Sequence, residues 1–166
     1  MKTIMLMRHG KSDRENAKAD FDRPLSKRGL KDVPRMANTI AKCGIIPELI
    51  ISSPAARARK TAELFIKELM TGTKLKFEKS LYGESREAYL KCIKNADDDI
   101  NILMLTGHNP EIEETAEFLT CKENEGISIK MPTSAIICLQ AEISTWSGIK
   151  GGIFTILWHI IPKIID

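Results

Sequence analysis

Two histidines and two arginines stand beside the ends of predicted strands, where they could bind an anion. Arg8 and His9 follow an apolar strand near the amino terminus. Arg57 lies shortly after a second strand, and His108 follows a later one. Because ligands of an open parallel sheet bind beyond the carboxyl ends of its strands, His9, Arg57 and His108 are expected to share one cleft.

The predicted helix starts beside these residues also favour an anion. Ser53-Pro54 and Asn109-Pro110 each have the pattern of an N-cap followed by proline at the first helical position. Such helix starts would offer unpaired amides and positive dipole ends. Gly10 and Gly107, beside the two histidines, are expected to let a ligand approach the backbone closely.

The residue types favour transfer of a phosphoryl group to histidine. Arg8 and Arg57 can each present a planar fork to phosphate oxygens, which favours a phosphoryl group over an isolated carboxylate. The guanidinium groups are expected to lower the pKa of His9 and so keep it neutral and nucleophilic near pH 7. They would also stabilise charge on the transferring oxygens, so the expected reaction needs no metal ion and no cofactor.

The order of elements predicts an α/β fold, a three-layer sandwich with a mainly parallel central sheet and helices on both faces. Strands are expected near residues 3–7, 49–52, 75–77, 100–105, 134–141 and 152–161, with at least one of the last two antiparallel. Helices are expected between them. Pro34 leaves two possibilities for the first helix, a kinked helix from Ser26 or a helix that restarts at an Asp32 cap. With no linker or repeat in the sequence, residues 1–166 are expected to form a single domain.

Composition and charge exclude several classes of partner. The 25 basic and 22 acidic residues are scattered and leave a net charge of +3, which argues against nucleic acid as a partner. The apolar runs are too short for a membrane span or a secretion signal. The four cysteines are widely separated and lack metal-ligand spacing, so they are expected to be reduced core thiols of a cytoplasmic protein.

Five segments of the chain resemble one known family. Arg8-His9-Gly10 resembles the RHG motif of the histidine phosphatase, or phosphoglycerate mutase-like, superfamily. The segment 53–58 resembles its SPxxRA helix start, and 107–110 resembles its GHNP segment, in the same order. Arg23-Pro24-Leu25-Ser26 and Pro132-Thr133-Ser134-Ala135 are similar to the short SixA-type phosphohistidine phosphatases.

This resemblance implies a metal-independent phosphatase that passes through a phosphohistidine intermediate. It assigns His9 as the nucleophile, Arg8 and Arg57 as phosphoryl ligands, and His108 as a residue that hydrogen-bonds to and stabilises the phosphoryl group. The expected substrate is phosphohistidine on a protein, since imidazole leaves without strong acid assistance.

Two other functions stay open at this point. A phosphatase of small phosphate esters would need a well-placed acid, for which Glu84 is the candidate, although a solvated helix-terminal carboxylate is the simpler interpretation of that residue. A phosphate-binding module without turnover is the other alternative, and the complete set of four site residues argues against it. The absence of a large insertion, together with Lys60 where many relatives have glutamine, argues against phosphoglycerate mutase activity.

Overall fold

A computed structural model describes residues 1–13, 15, 19–122 and 126–165. Within these ranges six strands form one sheet: β1 (Lys2–Arg8), β2 (Leu49–Ser52), β3 (Lys74–Phe77), β4 (Ile102–Gly107), β5 (Ile136–Ala141) and β6 (Thr155–Ile160). Their order across the sheet is β3-β2-β4-β1-β5-β6. Four α-helices lie between them in the chain: α1 (Lys27–Cys43), α2 (Ala56–Leu69), α3 (Arg86–Lys94) and α4 (Glu111–Thr120).

The helices cover both faces of the sheet, which confirms the predicted three-layer α/β sandwich. Alternate side chains of β1 point to opposite faces of the sheet. Met5 and Met7 belong to the apolar cluster formed with α1 and α2. Ile4 and Leu6 belong to the opposite cluster, formed with α3 and α4. A strand buried on both faces reads as a continuous apolar run, as this one does.

Strand direction brings several strand ends to one edge of the sheet. The pairs β1–β4, β2–β4 and β2–β3 are parallel, so the carboxyl ends of these strands lie together. Both late strands are antiparallel, β5 to β1 and β6 to β5, which confirms the expectation for at least one of them. The amino terminus of β5 and the carboxyl terminus of β6 therefore reach the same edge.

The first helix runs without a break through its internal proline. It begins after Ser26, whose hydroxyl oxygen accepts a hydrogen bond from the Gly29 amide, and it continues through Pro34. A restart at Asp32 is therefore wrong; that carboxylate instead accepts from Arg28, one helical turn earlier. Val33 and Ile40 of this helix are fully buried against the sheet, whereas Leu30 is 44% exposed.

The predicted N-caps of α2 and α4 are wrong. α2 begins three residues beyond Ser53, α4 begins after Pro110, and neither helix has a side-chain cap. Tertiary contacts explain the difference: Ser53 Oγ lies 2.9 Å from a nitrogen of His108, and the Asn109 side-chain amide donates to the Met131 carbonyl. The Ser53 hydroxyl also accepts from the Ala55 amide at 3.3 Å, but this amide precedes α2, so neither polar side chain caps its helix.

Two further expectations concern the whole chain. A core location for the cysteines is confirmed only for Cys138; Cys43 is exposed, whereas Cys92 and Cys121 are half-buried. Among the helices in the described ranges, none is long and apolar enough to cross a bilayer.

Candidate active site

His9 follows β1 and is held in one tautomer. Its Nδ1 lies 2.7 Å from the carbonyl oxygen of Gly10, and because a carbonyl only accepts, we assign the ring proton to Nδ1. Nε2 therefore carries a lone pair and accepts a hydrogen bond of 3.2 Å from Arg57 Nε. The nitrogen that could attack phosphorus thus faces a guanidinium group.

Arg57 stands in the first turn of α2 and is 5% exposed. While its Nε donates to His9, its two terminal nitrogens donate to Asp20. Nη1 lies 2.6 Å from the backbone oxygen of Asp20, and Nη2 lies 2.9 Å from the carboxylate. These bonds fix the plane of the guanidinium against the imidazole.

His108 follows β4 and places a second imidazole beside the first, with ring centroids 5.1 Å apart. Its backbone N–H donates to the Tyr89 hydroxyl at 3.0 Å. A Cβ on Gly107 would overlap that same hydroxyl, and a Cβ on Gly10 would lie 2.9 Å from the Val33 side chain. Close packing against these neighbours therefore requires glycine at both positions.

Arg8 lies at the same edge, but its head group does not hydrogen-bond to either histidine in the described structure. Nη1 donates to the Met131 carbonyl at 2.8 Å, while the buried Nε has no partner among the described residues. The positive charge of Arg8 still acts on both histidines, since it lowers the pKa of each. The structure thus brings His9, Arg57 and His108 into contact range and places Arg8 beside them.

Burial and positive charge keep both imidazoles neutral. Burial is the largest cause and, with Arg57, Arg8 and Arg23, lowers the pKa of His9 to about 4, although the hydrogen bond that His9 donates to the Gly10 carbonyl acts to raise it. Burial also lowers the pKa of His108 to about 3, again with help from neighbouring charges. The direction of the His9 shift agrees with the prediction from sequence, but burial is its main cause and the guanidinium groups contribute less.

Asp20, Phe21 and Tyr82 also line the site, although they were not predicted as site residues from the sequence. Tyr82, in the loop after β3, packs edge-on against His108 at 5.3 Å and against Phe21 at 5.0 Å. Its hydroxyl donates to the Asp20 carboxylate at 2.9 Å. Tyr82 could have been predicted from the sequence, because it lies in a loop that follows a parallel strand, as His108 does. Asp20 could not, because no local sequence pattern distinguishes it from Asp22.

Glu84, the candidate acid, lies elsewhere. It lines a cavity of about 570 Å³ beside α3, together with Lys76, Lys91 and Cys92. The described residues that line this cavity include neither histidine of the site. Across the described ranges, no group of three or more His, Cys, Asp or Glu side chains is arranged to hold a metal ion.

Comparison with known sequences identifies the family. The profile of the histidine phosphatase superfamily (branch 1) matches residues 4–82, which include both His9 and Arg57. A chloroplastic protein of Arabidopsis thaliana without an assigned function is 33% identical over 153 residues, covering 86% of this chain and 68% of that protein. The chain belongs to the histidine phosphatase superfamily. It is thus a phosphatase that acts on a phosphorylated substrate.

Solved structures extend the match to nearly the whole chain and identify the SixA type. A SixA protein of Agrobacterium tumefaciens, assigned as a phosphohistidine phosphatase, is 26% identical with a TM-score of 0.78, covering 97% of this chain and 98% of that one. The protein histidine phosphatase SixA complexed with tungstate has the same fold, with a TM-score of 0.80, 23% identity and 99% coverage of both chains. An uncharacterised Mycobacterium tuberculosis protein is 26% identical over 163 residues, covering 95% of this chain and all of that protein.

Acidification below about pH 6.5 is expected to destabilise this histidine phosphatase. In the unfolded chain both site histidines titrate near 6.5, whereas the pKa is about 4 for His9 and about 3 for His108 in the native state. Between these values the unfolded state binds more protons, so the free energy of unfolding falls as the pH falls. Each histidine should contribute a slope of up to about 1.4 kcal/mol per pH unit.

Urea unfolding at several values between about pH 7 and pH 5 measures this slope. His9→Asn and His108→Asn should each flatten it, because asparagine does not titrate. The same slope in the wild type and in both variants would show that these histidines do not cause the acid sensitivity.

Proposed function

We propose that this protein is a metal-independent phosphohistidine phosphatase that removes the phosphoryl group from a histidine of another protein, and that residues 1–166 act as one domain. The observation that carries the proposal is the Nε2 lone pair of His9, which is 3.2 Å from Arg57 Nε. A neutral, oriented imidazole beside a guanidinium is suited to attack phosphorus. The SixA-type fold and the similarity to the Agrobacterium SixA protein also support it.

In the first step, the hydrogen bond from Arg57 Nε to His9 Nε2 breaks, and the freed lone pair of Nε2 attacks phosphorus. The N–P bond of the substrate breaks as a new N–P bond forms on His9, and the departing imidazole takes its proton from solvent. Arg57 and Arg8 stabilise the charge on the phosphoryl oxygens, and His108 hydrogen-bonds to one of them. In the second step, water attacks the phosphorus, a proton of this water passes to solvent, the bond to His9 breaks, and inorganic phosphate leaves.

The leaving group decides between substrate classes. Alkyl esters expel an alkoxide that needs a protonated acid, whereas imidazole has a much lower proton affinity. Glu84 lies in a different cavity from the two histidines. The carboxyl group that does face Arg57 belongs to Asp20, whose pKa is lowered, so it is ionised and a poor acid at neutral pH. These features favour phosphohistidine over small alkyl phosphates.

Comparison of three substrates tests this function. We expect kcat/KM for a phosphohistidine peptide, and for the aryl ester p-nitrophenyl phosphate, to exceed the value for 3-phosphoglycerate by at least about a hundredfold, since each unit of missing leaving-group assistance can cost up to tenfold. Glu84→Gln should leave all three values within about twofold of the wild type. A wild-type preference for the alkyl ester that is lost in Glu84→Gln would contradict the proposal and favour a small-ester phosphatase.

Two controls complete this assay. EDTA should leave the rate unchanged; inhibition that zinc or magnesium reverses would exclude a metal-independent reaction. Alkaline quenching during turnover should trap acid-labile, base-stable phosphate on the protein, as expected for a phosphohistidine intermediate.

A further inference from the structure

A carboxylate stands inside the cationic site and is held there by three residues. Asp20 Oδ2 accepts from Arg57 Nη2 and from the Tyr82 hydroxyl, each at 2.9 Å. Oδ1 accepts from Arg23 Nη2 at 2.7 Å. Because the donors come from α2, from the loop after β3 and from the segment before α1, the carboxylate is fixed from several directions. It remains 55% exposed and thus faces the solvent from which a substrate arrives.

The charge of Asp20 persists at neutral pH. Partial burial acts to raise the pKa of this carboxyl, but hydrogen bonds from Tyr82 and Arg57 and the charges of Arg57 and Arg23 outweigh it and lower the pKa. The group is therefore ionised whenever the enzyme works near neutral pH.

The charges at this edge balance one phosphoryl dianion. Among the described residues at this edge, the cations are the guanidinium groups of Arg8, Arg23 and Arg57, the anion is Asp20, and both histidines are neutral, which leaves these groups with a formal charge of +2. Glu113 also faces Arg8 but is paired with Lys130 at 3.7 Å, so this pair adds no net charge. Once the phosphoryl dianion has neutralised these charges, a second negative charge on the substrate would be repelled by the Asp20 carboxylate.

We propose that Asp20 is a specificity-determining residue that rejects phosphorylated substrates with a second negative charge close to the scissile bond. Neutral or cationic leaving groups, such as the imidazole of phosphohistidine, are then favoured over phosphorylated acids. This inference rests on the proposed function and deepens it by naming the charge of the accepted substrate. The energetic basis is Coulomb repulsion between two carboxylates several ångströms apart in a partly solvated site.

Two aryl phosphates of the same shape, one of which carries an additional negative charge, test this proposal. The probes are 3-carbamoylphenyl phosphate and its carboxylate counterpart, 3-carboxyphenyl phosphate. We expect wild-type kcat/KM to be higher for the amide, and Asp20→Asn to reduce the amide-to-carboxylate ratio about fivefold. The ratio is informative even if Asp20→Asn shifts Arg57 and slows both reactions, because a positioning defect lowers both rates together.

Asp22→Asn is the matched control. It removes the same charge from an exposed residue of the same segment, two positions away, and should leave the ratio unchanged. Raising the salt concentration from about 0.05 M to 0.5 M should also reduce the wild-type ratio, since salt screens exposed charges. Calorimetric binding of both probes to His9→Ala should show the same preference without turnover.

The outcomes separate this inference from the proposed function. An amide-to-carboxylate ratio that is the same in the wild type and Asp20→Asn, for hydrolysis or for binding, overturns the role of Asp20. An equal reduction of the ratio in Asp22→Asn overturns it too, because the effect would then be general surface charge. If the aryl ratio behaves as expected but the phosphohistidine peptide is not hydrolysed, the proposed substrate fails and the selectivity of Asp20 stands.

Discussion

His9→Ala will lower phosphatase turnover at least about a thousandfold, because it removes the atom that accepts the phosphoryl group. The substitution deletes an imidazole whose Nδ1 donates to the Gly10 carbonyl and whose Nε2 faces Arg57. Neither bond is a packing contact of the apolar core, so the fold should persist. The measurement is kcat with a phosphohistidine peptide, together with thermal melting of both proteins at pH 7.

His159→Ala is the matched control for this loss. His159 is the third histidine of the chain, half-buried on β6, and its replacement should leave the rate within about twofold. If His9→Ala melts like the wild type and turns over at the same rate, His9 is not the nucleophile. Alkaline trapping should also yield no phosphoprotein from this variant.

Arg57→Lys is expected to reduce kcat/KM about a hundredfold although it keeps the positive charge, a loss comparable to removing one preorganised donor. Arg57 uses three nitrogens at once: Nε toward His9, and Nη1 and Nη2 toward Asp20. A lysine ammonium is a single point donor and cannot reproduce that planar fork. Steady-state kinetics with p-nitrophenyl phosphate measure the effect.

Arg59→Lys provides the comparison on the same helix. Arg59 is exposed and its guanidinium lies 4.6 Å from the centre of the Phe77 ring, so its replacement should cost no more than about twofold. If kcat/KM of Arg57→Lys stays within twofold of the wild type, Arg57 is not a phosphate ligand. Equal losses in both variants would indicate a general requirement for guanidinium groups on α2.

Some residues of the site could be predicted from the sequence, whereas the partners of others could not. The positions of His9, Arg57 and His108 were predictable because each follows a strand, and parallel strands end at one edge. The partners of Ser53 and Asn109 were not, because both residues fit a local N-cap pattern. Each side chain instead bonds to a segment distant in the chain, and such a contact cannot be inferred from local spacing.

The sequence by itself determined the α/β architecture, the family and three of the residues that meet at the site, since all of these follow from local periodicity and short motifs. The tertiary structure decided the tautomer of His9, the direction of the Arg8 head group and the place of Asp20. Asp20 and Asp22 are chemically identical neighbours in sequence. Only the packing of Tyr82, Arg23 and Arg57 around one of them turns that carboxylate into part of the site, because hydrogen bonds depend on distances between segments far apart in the chain.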